Sequence, residues 1–342
     1  MAYTTINKHT DYFNTKLHSG NSSTQSITGV GFQPDLTWIK DRTGGNDHQI
    51  VDAVRGATYS ISSNRTDALT FTDGLTSFDS DGYSLGNNTR YNASGSNYVG
   101  WNWNAGTTSG LSGGTITPSS YSINTTSKFG IYQYTGNGTS GATIAHGLGA
   151  LPQLILVKRT DTTSSWQVYS GNSGATYYAK LDSTDAFAAA TNRWNDTAPT
   201  TSLFSLGNST EVNASGGTYM AYVWCNVTGY FKCDSYNGNG NANGTFVYTG
   251  GRPALILMRP NIAAKNWYLF DNKRNGYNAS LKFNYPNTSA AEGDISSYVD
   301  FFSNGFKLRT TDDSFNNNGN SYQYWCWMQS LVGSNNVPCT AR

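Results

Sequence analysis

Gly31-Phe32-Gln33-Pro34-Asp35-Leu36-Thr37-Trp38-Ile39-Lys40 returns further along the same chain as Gly149-Ala150-Leu151-Pro152-Gln153-Leu154-Ile155-Leu156-Val157-Lys158. It returns again, more loosely, as Gly250-Gly251-Arg252-Pro253-Ala254-Leu255-Ile256-Leu257-Met258-Arg259. A second marker trails each copy: Tyr98-Val99-Gly100-Trp101-Asn102-Trp103, then Tyr219-Met220-Ala221-Tyr222-Val223-Trp224, then Tyr322-Gln323-Tyr324-Trp325-Cys326-Trp327. Pro34, Pro152 and Pro253 are spaced by 118 and 101 positions, and Trp103, Trp224 and Trp327 by 121 and 103. Both markers agree on a period the size of a whole domain, well beyond the about 20–50 residues of solenoid units. Three copies of one small fold argue for a surface, a spacer or a multivalent binder more than for a single active site.

Within a copy the period is two. Asp35 to Lys40 reads as a short strand with Pro34 leading in, where a missing N–H costs least. His48-Gln49-Ile50-Val51-Asp52 matches the stretches beginning at Trp166 and Trp267, and Phe78 to Leu85 matches Ser202 to Leu206 and Phe302 to Leu308. Turn signals between such runs predict an all-β chain of three tandem antiparallel β-sandwich domains of jelly-roll type. The expected limits are 1–106 for the first copy, 107–120 for a Gly/Ser/Thr linker, 121–228 for the second and 229–342 for a divergent third. On this expectation the first copy pivots on its linker, while the second and third are rigidly joined. Thr184 to Ala190 is the one stretch that predicts a turn or two of helix.

Only 13% of residues are charged, against about 25% in an average soluble protein, while aromatics reach 14%. Disordered chains show the opposite balance, so a folded chain is expected, with strands wet on one face and buried on the other. The net charge is +1 and there is no Lys/Arg run, which argues against a nucleic-acid partner. No stretch approaches about 18 apolar residues, and the start lacks an apolar leader, so neither membrane insertion nor a secretory signal is expected. Four cysteines, Cys225, Cys233, Cys326 and Cys339, lack C-x-x-C spacing and read as reduced thiols.

Chemistry-bearing constellations are sparse. Asp79-Ser80-Asp81-Gly82 looks like half a calcium loop, yet its counterparts lack paired carboxylates and a hairpin turn fits all three copies. Asp52 and Arg55 recur as Asp271 and Arg274, with Tyr169 and Asn172 read in register between them, an arrangement commoner in ion pairs than in catalysis. The scattered histidines and scarce acids supply neither a nucleophile context nor an acid pair for glycoside cleavage. No enzyme, metal or cofactor is therefore expected. Trp103, Trp224 and Trp327 read as core. Trp166, Trp194 and Tyr91, set among polar residues, read as exposed rings suited to sugar C–H faces, and Arg193, Trp194 and Asn195 form the best such cluster. Asn-x-Ser/Thr triplets such as Asn92-Ala93-Ser94 and Asn213-Ala214-Ser215 arise from composition alone.

The runs at 31–40 and 78–86, together with Asn92-Ala93-Ser94-Gly95 and the strand 98–103, resemble a repeat domain common in structural and tail-fibre proteins of marine tailed bacteriophages. That domain is similar to concanavalin A-like or SPRY-like sandwiches. The resemblance is close in the first copy and thins through the second and third. It implies a virion-exterior protein of tail-fibre or receptor-binding type, with host-surface glycan and other virion proteins as partners. It also implies a homo-oligomer, a trimer by preference, and carries no catalytic residues. A capsid decoration, head-fibre or adaptor role is the alternative.

Overall fold

Leu154-Ile155-Leu156-Val157 is apolar at every position because its alternate side chains enter two different cores. Leu154 and Leu156 join a cluster with residues of all three repeats, whereas Ile155 and Val157 join one local to the second repeat. Leu255 and Leu257 divide from Ile256 and Met258 in the same way. In the first repeat Leu36 and Trp38 divide from Ile39. Such strands are buried on both faces, which corrects the expectation of one wet face. A near-continuous apolar run is the sequence form of two-sided burial.

The computed structural model describes residues 4–6, 8–262, 264–275, 278 and 280–329. The fold is all-β, 44% strand and 5% helical, in antiparallel sheets consistent with β-sandwiches. Each repeat centres on its tryptophan-bearing strand, flanked by an opening strand and the proline-led strand. In the first repeat the order is Phe13–Ser19, Asn97–Trp103, Leu36–Asp41, Gln49–Asp52, with Gln25–Thr28, Gly82–Leu85 and Leu75–Asp79 in an opposing sheet. The second places Phe129–Thr135, Thr218–Cys225, Pro152–Arg159 and Gln167–Ser170 within a seven-stranded sheet, facing the pair Ala142–Ala145 and Leu203–Leu206. In the third, Phe231–Asn237, Ser321–Gln329, Arg252–Pro260 and Tyr268–Asp271 face Phe246–Tyr248, Gly305–Leu308, Gly293–Phe302 and Ser280–Phe283. Pro152 and Pro253 sit where the ladder slips register, so their missing N–H breaks no regular pairing.

The registers align the repeats residue by residue. Leu36, Leu154 and Leu255 lie opposite Trp103, Trp224 and Trp327 on one side, and opposite Asp52, Ser170 and Asp271 on the other. Ser170 and Ser173, not Tyr169 and Asn172, therefore occupy the places of the acidic and basic residues in the second repeat.

The three tryptophans meet. Ring centroids are 6.0 Å apart for Trp103 and Trp224, 5.4 Å for Trp103 and Trp327, and 5.6 Å for Trp224 and Trp327, all edge to face. Each also packs on the aromatic opposite it in its own opening strand: Phe13, Phe129 and Phe231, at 5.0, 4.8 and 5.0 Å. The repeats thus close around a shared aromatic centre, which corrects the pivoting first copy. Residues 107–120 are likewise pinned rather than free. Thr107 exchanges backbone bonds with Ile123, Leu111 N–H donates to the Tyr121 hydroxyl at 2.8 Å, and Thr115 and Ile116 N–H donate to the Thr143 carbonyl at 2.9 Å. Thr184 to Ala190 is not helical: Ala188–Ala189 is strand, and a single helical turn follows at Thr191–Trp194.

Because one core joins all three repeats, urea unfolding followed by tryptophan fluorescence and far-UV circular dichroism is expected to be one transition. Trp224→Ala should shift the whole transition by about 3–5 kcal/mol, the usual cost of emptying a large buried aromatic site. Separate transitions for separate repeats would contradict a shared core.

Candidate functional site

The aromatic residues read as sugar platforms lie inside the protein. Trp166 and Tyr91 are fully buried and Trp194 is 1% exposed, which corrects their assignment. Trp166 donates its indole N–H to the Ser62 carbonyl of the first repeat, and Tyr91 donates to Gln49. Arg193 spans Gln167, Asn192 and Glu211 while lying over the Tyr178 ring, and Asn195 accepts from Ser140 in a left-handed turn. Arg193, Trp194 and Asn195 are adjacent, but each is engaged in holding its own loop.

The Asn-Ala-Ser triplets have a structural task that composition hid. Asn92 and Asn213, and Asn316 at the same place of the third repeat where the triplet is Asn-Asn-Asn, are all fully buried. Their amide nitrogens donate to the carbonyls of Gly86, Gly207 and Thr310 and to a loop across the sheet end. Tyr98, Tyr219 and Tyr322 close the same loops, each donating its hydroxyl to one carbonyl and accepting an N–H. A buried asparagine with this many partners is a staple, not a glycan acceptor.

The recurring acid–base pair lies at the seams between repeats. Asp52 pairs with Arg55 at 2.6 Å and accepts the Tyr222 hydroxyl of the second repeat at 2.7 Å. Asp271 pairs with Arg274 at 2.6 Å and accepts the Trp101 indole N–H of the first repeat at 3.0 Å. At the corresponding place Ser170 donates to Gln323 of the third repeat at 2.5 Å. The contacts therefore run from first to second, second to third and third to first.

A second set runs in the opposite sense. Lys40, Lys158 and Arg259 are fully buried and reach the carbonyls of Ser289, Thr66 and Asp185 in the preceding repeat around the ring. Burial lowers both lysines to about 8 and Arg259 to about 10. His48 accepts the Trp38 indole N–H on Nδ1, so Nε2 carries the proton that goes to the Tyr285 carbonyl. These groups spend their charge and polarity on backbone carbonyls across the seams between repeats.

Asp79 and Asp81 turn apart. Asp79 accepts from Ser77 and Ser84, and Asp81 from the Gly29 and Gly31 N–H groups, which lower its carboxyl. Among the described residues no three His, Cys, Asp or Glu side chains cluster to hold a metal. Cys225, Cys233 and Cys326 are free and buried, with thiols pushed upward; Cys339 lies outside the described residues.

Among the described residues, the aromatics that face outward are Tyr59, Phe71, Tyr177, Phe246 and Tyr248. Sequence reasoning passed over them, although Phe246 and Tyr248 flank Val247 in an alternating run. Tyr59 and Phe71 are cross-strand partners with rings 5.8 Å apart, and Tyr177 occupies the place of Tyr59 in the second repeat.

Two expectations follow from the seams and their titration. Arg55→Met removes the cation from fully buried Asp52 and should cost about 3–5 kcal/mol in urea unfolding, as breaking a buried pair does; a near-neutral change would mean the seam is wet. All four histidines are lowered by burial from the ordinary 6.5, His9 to about 4. The unfolded chain then takes up protons that the fold refuses, so stability falls as pH drops from about 6.5 toward 4. Asp182, raised by burial to about 6, and Asp35, also raised, oppose this, because the fold holds the extra proton there. The lowered carboxyls of Glu292, Asp271, Asp161, Asp185 and Asp81 act in the same sense as the histidines. A lower urea midpoint is therefore expected at about pH 5 than at about pH 7, and an equal or higher one would overturn the prediction.

No curated protein and no solved structure matches the chain significantly. One family spans the three repeats together, from residue 8 to residue 330, and the chain belongs to it: the family described as Domain of unknown function (DUF7483).

Proposed function

We propose that the protein is a structural component of a bacteriophage exterior, of tail-fibre or receptor-binding type, that touches host-surface glycan without transforming it. The observation that carries this is a division of labour. The recurring charged and hydrogen-bonding groups are consumed in buried seams, whereas exposed rings stand on outward strands. Scaffold and contact surface are thus separate, which suits binding rather than turnover. Weak sites gain avidity when several copies act together, so a trimer of chains fits this role. Other virion proteins complete the proposed set of partners, and no cofactor is called for.

A capsid decoration or adaptor role is the second reading. It is favoured by the cyclic contacts of the three repeats, which let one chain present three related faces around one centre. Immunogold labelling of particles carrying the protein separates the two. Label on fibres or the tail is expected, label over the head would move the protein to decoration, and unlabelled particles would overturn both.

A further inference from the structure

The edge strand Phe246–Tyr248 places the third repeat apart from the others. Phe246 is 45% and Tyr248 52% exposed, while Val247 between them is buried. Val247 lies opposite Phe306 as Ile144 lies opposite Phe204 and Ile27 opposite Tyr83. The neighbours on either side are Thr143 and the buried Ala145 in the second repeat and the exposed Ser26 and Thr28 in the first. The same sandwich position is polar or small twice and aromatic once. Phe246 lies edge to face on Phe302 at 5.8 Å, but the other two repeats form the same strand pair without an aromatic at either place.

Tyr248 borders a cavity of about 260 Å³ that Asn226, Thr228, Lys232 and Thr249 also line. The Lys232 ammonium lies 5.9 Å from the Tyr248 ring centroid, donates to the Tyr248 carbonyl at 3.0 Å and pairs with Asp234 at 3.0 Å. The cavity owes its opening to the short passage between second and third repeats, where Val227 and Phe231 bridge directly. In the second repeat the equivalent edge is occupied by the run through Thr115 and Ile116.

We infer that this cavity and its aromatic edge form a saccharide-binding site, an inference that rests on the glycan-contact function proposed above. A sugar ring has an apolar C–H face and a rim of hydroxyls. Tyr248 offers a flat exposed ring to the face, and Asn226, Thr228 and Lys232 offer an amide, a hydroxyl and an ammonium to the rim. The volume lies just below the about 300–1,000 Å³ of sites for drug-sized ligands, which suits one ring of a longer chain. A protein partner would need about 800 Å² on this side, far more than the cavity supplies.

The test applies the full-length protein to an array of bacterial lipopolysaccharide and capsular oligosaccharides. Tyr248→Thr and Phe246→Ser, which install the first repeat's residues, are compared with wild type and Tyr248→Phe. Wild type is expected to bind at least one saccharide, Tyr248→Thr to bind it about tenfold more weakly, and Tyr248→Phe to stay within about threefold. Unaltered melting of the variants shows that loss is not unfolding. Saccharide binding that survives both Tyr248→Thr and Phe246→Ser overturns this site while leaving glycan contact elsewhere intact. Wild type that binds no saccharide overturns the site and the glycan reading together.

Discussion

Trp103, Trp224 and Trp327 meet edge to face with every pair of ring centroids within 6.0 Å, and the placement of each central strand depends on that contact. A tryptophan at one register position in each repeat can be buried by its own sheet only on one side. The other side needs the remaining repeats. Their indole N–H groups find no hydrogen-bond partner among the described residues, and ring packing is what joins the three. Directional ring edges align the strands more narrowly than aliphatic side chains would, because an edge-to-face pair loses its favourable geometry when one sheet rotates.

The polar seams complete what the rings begin. Burying Asp52 with Arg55 and Asp271 with Arg274 costs desolvation that the pairing only partly returns, so these groups are weak sources of net stability. What they add is selectivity. The Tyr222 hydroxyl and the Trp101 indole N–H each fit one carboxylate across one seam. A chain of three similar repeats could pair them in the wrong order, and in each wrong order a buried carboxylate loses the donor that reaches it across the seam. The second repeat departs from the pattern with Ser170 and Gln323, which makes the seams chemically distinct from one another.

Divergence on the outside follows different rules. The positions facing the shared centre, Leu36, Leu154 and Leu255 opposite Trp103, Trp224 and Trp327, keep their type from repeat to repeat. Outward positions of the edge strands are free to change, and Ser26, Thr143 and Phe246 at one such place illustrate how far they have. Phe246 and Tyr248 leave about half of their surface in water, which costs solubility, while Phe246 packs only on Phe302 among the described rings. Their presence in one repeat alone is intelligible as contact with something outside the chain.

The sequence by itself determined the repeat, its register markers and the β class, because strand period, turn residues and a tryptophan at a fixed place are local properties. Pro34, Pro152, Pro253 and the three tryptophans marked the same two strands in each copy. The fate of Trp166, Trp194 and Tyr91 was not legible, since polar neighbours in sequence reveal nothing about which other repeat covers a ring. The same limit hid the tasks of Asn92, Asn213 and Asn316, whose partners lie across a sheet end. The linker also misled: its Gly/Ser/Thr composition permits motion, but backbone bonds to Ile123 and Thr143 remove it. Only the tertiary structure decided that three repeats share one core, because burial on a second face depends on contacts made at separations of more than a hundred residues.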